Sequence, residues 1–318
     1  MPQARLLFNP NAGRFPPEKA SEIAAGRLRQ HGWTVEILPT HSAEHVTSLA
    51  REAADEQLEA VIMAGGDGSV GRAAAGLQGS QTSLAVLPTG TANVWAKELG
   101  LPAITPRSAR HIEGIADLIA GSQPRQIDIG ICNGNLFLLW AGIGLDAMVV
   151  HQSEKKRSHL KKLFAYPEYA LRAFRYAAGW PGVQISLEAC RSPGGFRTRL
   201  EGCFQLAVVS NIRLYAGGFV RLSPNARIND GLMDLWLFQG SGFWAACRNA
   251  WQIIRGSHLK ANTCRVIPFS QLGVQLEAPT FLHADADPLP ESGRVKIEVR
   301  QQNLSVLLPK TAPENLLQ

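Results

Sequence analysis

The chain has no cysteine pair that reads as a structural unit. Its five cysteines, Cys132, Cys190, Cys203, Cys247 and Cys264, stand singly, odd in number and without a CxxC. That spacing argues against a disulfide framework or a zinc site and suits a reducing compartment. Long apolar runs are also missing: the most apolar stretch, Leu136 to Leu145, is far short of the roughly 20 residues a bilayer-spanning helix needs. The N-terminus turns polar at Asn9-Pro10-Asn11, so no signal peptide is expected and the expected location is the cytoplasm. Internal repeats and low-complexity tracts are absent, and the eight histidines show no metal-ligand spacing.

What is present describes a globular protein. The 318 residues are 45% hydrophobic and 18% charged, enough for two ordinary domains with real cores. Net charge is +6, a mild excess that favours anionic partners without choosing among nucleotides, nucleic acid and membrane surfaces.

The first 124 residues alternate strand and helix patterns. Arg5 to Phe8 reads as a buried strand, and Pro16-Pro17 opens a helix with apolar positions Ala20, Ile23, Ala24 and Leu28, closed by Gly32. Trp33 to Leu38 alternates as a second strand, and Ser42 caps a helix with Val46, Leu49, Ala50 and Ala53 on one face. The short apolar runs Ala60–Ala64 and Leu84–Leu87, bounded by Gly or Pro, read as central parallel strands. This βαβαβ pattern predicts a doubly wound α/β domain. From about residue 125 to 302, strands follow strands. Ile127–Ile131, an Asn133-Gly134 turn and Leu136–Trp140 read as a hairpin, and further strands fall at 184–189, 199–209, 232–238, 272–277 and 294–300. Helical stretches near 158–178 and 243–256 interrupt them. The expectation is a second, β-rich domain of sandwich or barrel type.

The strongest local signal is Ala64-Gly65-Gly66-Asp67-Gly68-Ser69, between a buried strand and a helix expected to start near Ser69. Glycines there let backbone N–H groups approach an anion, and the helix N-terminus adds its dipole; the plain alternative is a tight strand-to-helix turn. Gly66-x-Gly68-x-x-Gly71 matches a dinucleotide fingerprint formally, but it follows the third strand and no acid stands about 20 residues on. As a Walker loop it has Arg72 in place of lysine and Ala73 in place of Ser/Thr. Asp67 would repel bare phosphate, which points to a metal-bound nucleotide with Mg²⁺ between carboxylate and phosphates. Its alternative role is to cap the helix.

Taken together, Asn9-Pro10-Asn11-Ala12-Gly13, Gly65-Gly66-Asp67-Gly68-Ser69 and Pro88-Thr89-Gly90-Thr91-Ala92-Asn93 resemble the N-terminal signatures of the diacylglycerol kinase catalytic-domain family. Tyr215-Ala216-Gly217-Gly218, the run from Ser223 through Asn229-Asp230-Gly231 to Asp234, and His283-Ala284-Asp285-Ala286-Asp287-Pro288 are similar to its later signatures. The resemblance implies a nucleotide-binding α/β domain over residues 1–124, of the kind shared with NAD kinases, to which a segment near 303–318 returns. It also implies a β-sandwich-type substrate domain over 125–302, with the active site between the two. ATP and Mg²⁺ are the implied cofactors. Asn9, Gly13, Gly65, Gly66, Asp67, Gly68, Ser69, Thr89, Gly90, Thr91 and Asn93 would lie at the nucleotide. Asp67 and Asp230 would be the metal-linked carboxylates, with a hairpin turn as the alternative role for Asp230. Asp287 would be the general base, where the family usually has Glu, and a turn residue before Pro288 is its alternative. Ala286 replaces a glycine, and Val94 stands where many relatives have Asp.

The implied activity is transfer of phosphoryl from ATP to the hydroxyl of a membrane lipid such as diacylglycerol. An NAD kinase-like enzyme with a soluble substrate and a catalytically weakened nucleotide-binding regulator are the alternatives. The basic segment Glu154–Lys162, followed by Leu163, Phe164, Tyr166, Tyr169, Leu171, Phe174 and Tyr176, suits peripheral docking on an anionic bilayer, or else a solvated loop and a core helix. No nucleic-acid motif accompanies it.

Overall fold

The computed structural model describes residues 1–10, 16–104, 110–154, 175–177, 179–192 and 194–317. Gly13, all of the basic segment after Glu154 and the aromatic residues that follow it up to Phe174 lie outside the described residues, and with them most of the helical stretch expected near 158–178. The chain divides into two compact units, Met1–Ile129 with Gln301–Gln318, and Gly130–Arg300.

The first unit is built from β1 (Gln3–Phe8), α1 (Pro17–Gln30), β2 (Thr34–Pro39), α2 (Ala43–Asp55), β3 (Ala60–Gly65), α3 (Asp67–Leu77), β4 (Ser83–Pro88), α4 (Val94–Glu98) and α5 (His111–Ala120). β5 (Gln123–Cys132) carries the chain out of it. Its strands are parallel in the order β2-β1-β3-β4. β3 and β4 are buried at every position, which is why both read as unbroken apolar runs. Ala4, Leu6 and Phe8 of β1 and Ala60, Ile62 and Ala64 of β3 share one cluster with Ala20, Ala24 and Leu28 of α1 and Ile112, Ile115 and Ile119 of α5. The period of two in the strands meets the three-to-four spacing of the helices in that core. Ser42 caps α2 through the His45 N–H at 3.1 Å, as its position in the sequence suggests.

The second unit continues with β6 (Asn135–Phe137), β7 (Trp140–Gly144), α6 (Leu145–Glu154), β8 (Val183–Cys190), β9 (Arg197–Ser210), β10 (Leu214–Tyr215), β11 (Val220–Arg221), β12 (Met233–Gln239), α7 (Gly242–Ile254), β13 (Cys264–Phe269), β14 (Gln271–Ala284) and β15 (Asp287–Leu308). All its pairings that involve β7, β8, β9, β12, β13 and β14 are antiparallel. β7 and β8 lie end to end between β9 and β14: the early half of each long strand pairs β8 and the late half pairs β7. A core cluster that includes Phe137, Ile185, Phe204, Leu237, Phe269 and Ile297 packs the strands of this unit. β15 then carries the chain back, and its Val306 pairs Leu84 of β4 in parallel.

Two details differ from the sequence reading. α3 begins at Asp67 rather than near Ser69, because Gly66 already occupies the extended cap position. Leu136–Trp140 is not one strand: β6 ends at Phe137 and β7 starts at Trp140. The backbone N–H groups of Leu138, Leu139 and Trp140 instead donate to the carboxylate of Asp285, at 2.6, 2.8 and 3.0 Å.

Candidate active site

In the first unit the strand order places the change of winding direction between β1 and β3, and ligands of open α/β sheets bind outside the carboxyl ends of the strands at such a point. Asn9 follows β1 there, and the loop Gly65–Ser69 follows β3. The neighbouring β4 ends in Thr89–Asn93. Gly65 pairs Pro88 across the strand ends, and the Gly90 N–H donates to the Gly65 carbonyl at 3.3 Å. The two loops touch backbone to backbone. A Cβ on Gly90 would lie 2.3 Å from Gly66 Cα and 2.6 Å from Asn93 Oδ1, so the close approach requires glycine at position 90.

Asp67 opens α3, and its Oδ1 accepts the Trp95 N–H at 2.9 Å, with Val94 N–H as a further donor. The carboxylate therefore pins the first loop to the N-terminus of α4. Crowding away from water raises its pKa above the ordinary carboxylate range, while those N–H groups and the nearby Lys97 pull it down. Lys97 has its own pKa lowered by partial burial, with Asp67 opposing the shift. The sequence reading passed over this cation, because only the fold brings it within range of the acid.

Asn93 sits in the left-handed region at φ 50°, ψ 49°, a conformation asparagine tolerates. Its Nδ2 donates to the carbonyls of Pro88 and Gly90, at 3.2 and 3.0 Å, and these two acceptors fix the amide orientation. Asn93 Oδ1 and Thr89 Oγ1 are buried and find no hydrogen-bond partner among the described residues. Most buried polar atoms are paired, so two orphans on one loop indicate a ligand. The chemistry of each is specific. A hydroxyl can donate to a phosphate oxygen, whereas a carbonyl oxygen accepts, as from a ribose hydroxyl or a metal-bound water. Thr91 and Gly68 are exposed, and Ser69 is half-buried in the first turn of α3.

In the second unit, Asp285 and Ala286 form the tight turn between β14 and β15, at φ 48° and 65°. The glycine expected at position 286 is thus replaced where the backbone is left-handed, and the hairpin closes nonetheless. Asp285 is buried and committed to its three N–H donors. Asp287, next along and half-buried, pairs Ala284 across the turn.

A chain of hydrogen bonds supports the turn. The Ala286 N–H donates to His283 Nδ1 at 3.3 Å, which leaves the ring proton on Nε2 to donate to Asp146 Oδ2 at 2.7 Å. Tyr215 Oη donates to the other oxygen of Asp146 at 2.8 Å, and the Tyr215 ring meets Trp140 edge-on at 5.7 Å. Gly142 makes room for the pair, since a Cβ there would lie 2.3 Å from His283 Nε2. Sequence reasoning gave His283 no role beyond its place in the motif and missed Asp146. A glycine inside a buried strand, four residues before an acid at a strand-to-helix junction, was the available signal. Asp230 Oδ1 accepts the Leu232 N–H at 3.0 Å in a local turn. Asp234 has its pKa raised by burial, with Ser223 donating to it and the charge of Asp230 adding to the rise. Among the described residues no three acidic, histidine or cysteine side chains cluster as a protein-only metal cage would. Mg²⁺ commonly takes one or two carboxylates plus phosphate oxygens, and Asp67 fits that demand.

Comparison with known proteins adds the following. The family model described as the diacylglycerol kinase catalytic domain matches residues 3–132, and the one described as the YegS C-terminal NAD kinase beta sandwich-like domain matches residues 140–308. The chain is 28% identical to the diacylglycerol kinase of Bacillus subtilis (strain 168), over 87% of this chain and 89% of that protein. It is 30% identical to the "Probable lipid kinase YegS-like" of Pseudomonas putida, over 74% of this chain and 79% of that protein. Its fold matches the crystal structure of a diacylglycerol kinase from Bacillus anthracis str. Sterne with a TM-score of 0.71 at 19% identity, over 98% of both chains.

Proposed function

The chain belongs to the diacylglycerol kinase catalytic-domain family, and from that membership we propose that it is an ATP-dependent kinase that phosphorylates the hydroxyl of a membrane lipid, diacylglycerol or a related lipid alcohol. The observation that carries the reading is the pair of orphaned buried atoms, Thr89 Oγ1 and Asn93 Oδ1, on a loop that packs glycine to glycine against Gly65–Gly68. A donor and an acceptor on one loop suit a nucleotide, which offers phosphate oxygens and ribose hydroxyls.

Phosphoryl transfer asks the protein for positioning, charge compensation and a group to take the acceptor's proton. Thr89 and the N–H groups at the start of α3 hold phosphate, Asn93 holds the sugar or a bound water, and Lys97 adds positive charge. When bound, Mg²⁺ neutralises phosphate charge. Asp67 is the carboxylate that would hold it, and Asp230 is the candidate for an accessory ion. Asp287 accepts the proton of the lipid hydroxyl as that oxygen bonds to the γ-phosphorus and the bond to the departing ADP breaks. His283, oriented by Asp146 and Tyr215, is a positioning residue: it touches the turn that carries Asp287.

The test is to incubate the purified chain with labelled ATP and Mg²⁺ against diacylglycerol, a lipid extract and NAD. Label in a lipid phosphate supports the proposal. Label in NAD alone would assign the chain to soluble-substrate kinases. ATP binding without turnover on any acceptor would make it a regulator.

A further inference from the structure

α7 is inverted relative to an ordinary surface helix. Its inward face is Ala245, Asn249 and Ile253, with Asn249 Nδ2 donating to Gln205 Oε1 at 2.9 Å. Its large apolar residues point outward: Trp244 is 82% exposed, Ile254 65%, Trp251 56% and Phe243 41%. At 100° per residue, Trp244, Arg248, Trp251 and Arg255 fall on one stripe, with Phe243 and Ile254 along its edge. Arg255 lies over the Trp251 ring at 4.4 Å, and Phe243 and Trp244 meet edge-on at 5.4 Å. Beyond the helix, Leu259 adds a further exposed side chain at 49%. Contiguous exposed apolar surface of this kind marks an interaction site.

Charge selects the partner. Residues 235–276 contain no Asp or Glu, yet carry Arg248, Arg255, Lys260 and Arg265. A second copy of the chain would bring this face against itself across a two-fold axis, cation to cation, with no acid within the segment to pair them. An anionic bilayer offers what the face lacks: negative headgroups for the cations and an interfacial layer for the indole rings. We propose that α7 and the turn after it form a docking surface for an anionic lipid bilayer. The surface deepens the proposed function and rests on it for its purpose, since a kinase of membrane lipids must reach its acceptor at the bilayer. It is distinct from the basic segment Lys155–Lys162 singled out by the sequence.

Binding is read without turnover. The full chain is sedimented with vesicles of equal parts phosphatidylglycerol and phosphatidylcholine, and with phosphatidylcholine alone. The parent protein binds the anionic vesicles, and binding falls as added salt shortens the Debye length from ~10 Å at 0.1 M to ~3 Å at 1 M. The double variant W244A/W251A loses about tenfold or more in partitioning. R255Q and K260Q each cost about fivefold on anionic vesicles, and little on neutral ones. Tryptophan fluorescence of the parent is quenched by brominated lipid, and the double variant loses most of that quenching. The replaced side chains are exposed, so thermal unfolding stays within a few degrees of the parent. Full binding by W244A/W251A overturns the proposal, and so does binding lost only when Lys155, Lys156, Arg157, Lys161 and Lys162 are neutralised. A parent dimer that the double variant abolishes, seen by analytical ultracentrifugation, gives the face to a second copy and also overturns it. Failure of the kinase reading has a separate signature: vesicle binding with no lipid phosphorylated. If both proposals stand, W244A/W251A keeps its turnover on a water-soluble short-chain diacylglycerol and loses it on vesicles.

Discussion

The glycine loops of the first unit and the acidic turn of the second are built in contrasting ways. At 65–69 and 89–93 the structure works by omission: side chains are missing at Gly66 and Gly90, and buried polar atoms at Thr89 and Asn93 stay unpaired among the described residues. At 285–287 it works by commitment. Asp285 takes three N–H donors, His283 ties the turn to Asp146, and even the left-handed position 286 carries a side chain where glycine would be easier. A site that must admit a ligand leaves polar groups unsatisfied and spends glycine to do so. A turn that must hold one carboxylate in place ties down the groups around it.

On the side of the glycine loops, that contrast can be broken at Gly90. A methyl group there must displace Gly66 or Asn93, an overpacking cost of about 1–3 kcal/mol, and we expect Gly90→Ala to weaken ATP binding by about 10- to 100-fold. Titration calorimetry checks it, and circular dichroism should report a folded protein.

A smaller effect is expected at His283. Loss of the hydrogen bond that supports the Ala286 N–H is worth about 1–1.5 kcal/mol, so His283→Ala should lower kcat about tenfold with the ATP dissociation constant unchanged. Asn at the same position puts an acceptor where Nδ1 stands, and His283→Asn should recover most of the loss. Gln instead mimics Nε2, so His283→Gln should recover less. A purely structural histidine would move stability in all three variants and leave this order of kcat unseen.

The smallest effect has the opposite sign. Ala286 is held at φ 65°, which costs an L-residue about 1–2 kcal/mol, partly offset because glycine is freer in the unfolded chain. Ala286→Gly should therefore stabilise the protein by about 0.5–1 kcal/mol, raising Tm by roughly 1–3 °C, without loss of kcat. Differential scanning calorimetry reads it directly.

The same contrast explains what was legible in the sequence. Glycines, the strand runs around them and the Asn133-Gly134 turn act over a few residues, so β3, β4 and the loops after them could be read from local pattern. Three hydrogen bonds around the acidic turn of the second unit join residues 69 to 147 positions apart, Tyr215 to Asp146, His283 to Asp146 and Asp285 to Leu138, and no local spacing encodes them. The split of Leu136–Trp140 into two strands has that same cause, because the competing acceptor is Asp285. The outward tryptophans of α7 escaped notice because helical periodicity reports an apolar face and not which way it turns.

The central claim is that nucleotide holding and proton acceptance are divided between these two regions. Asp287→Asn keeps size and hydrogen-bonding capacity but removes the ability to take a proton. Measured on one lipid acceptor, with the ATP dissociation constant determined on the same samples, its kcat should fall by about 10²- to 10⁴-fold while ATP affinity stays within a factor of two or so. An Asn variant that turns over like the parent, or one that loses ATP binding, would contradict the account.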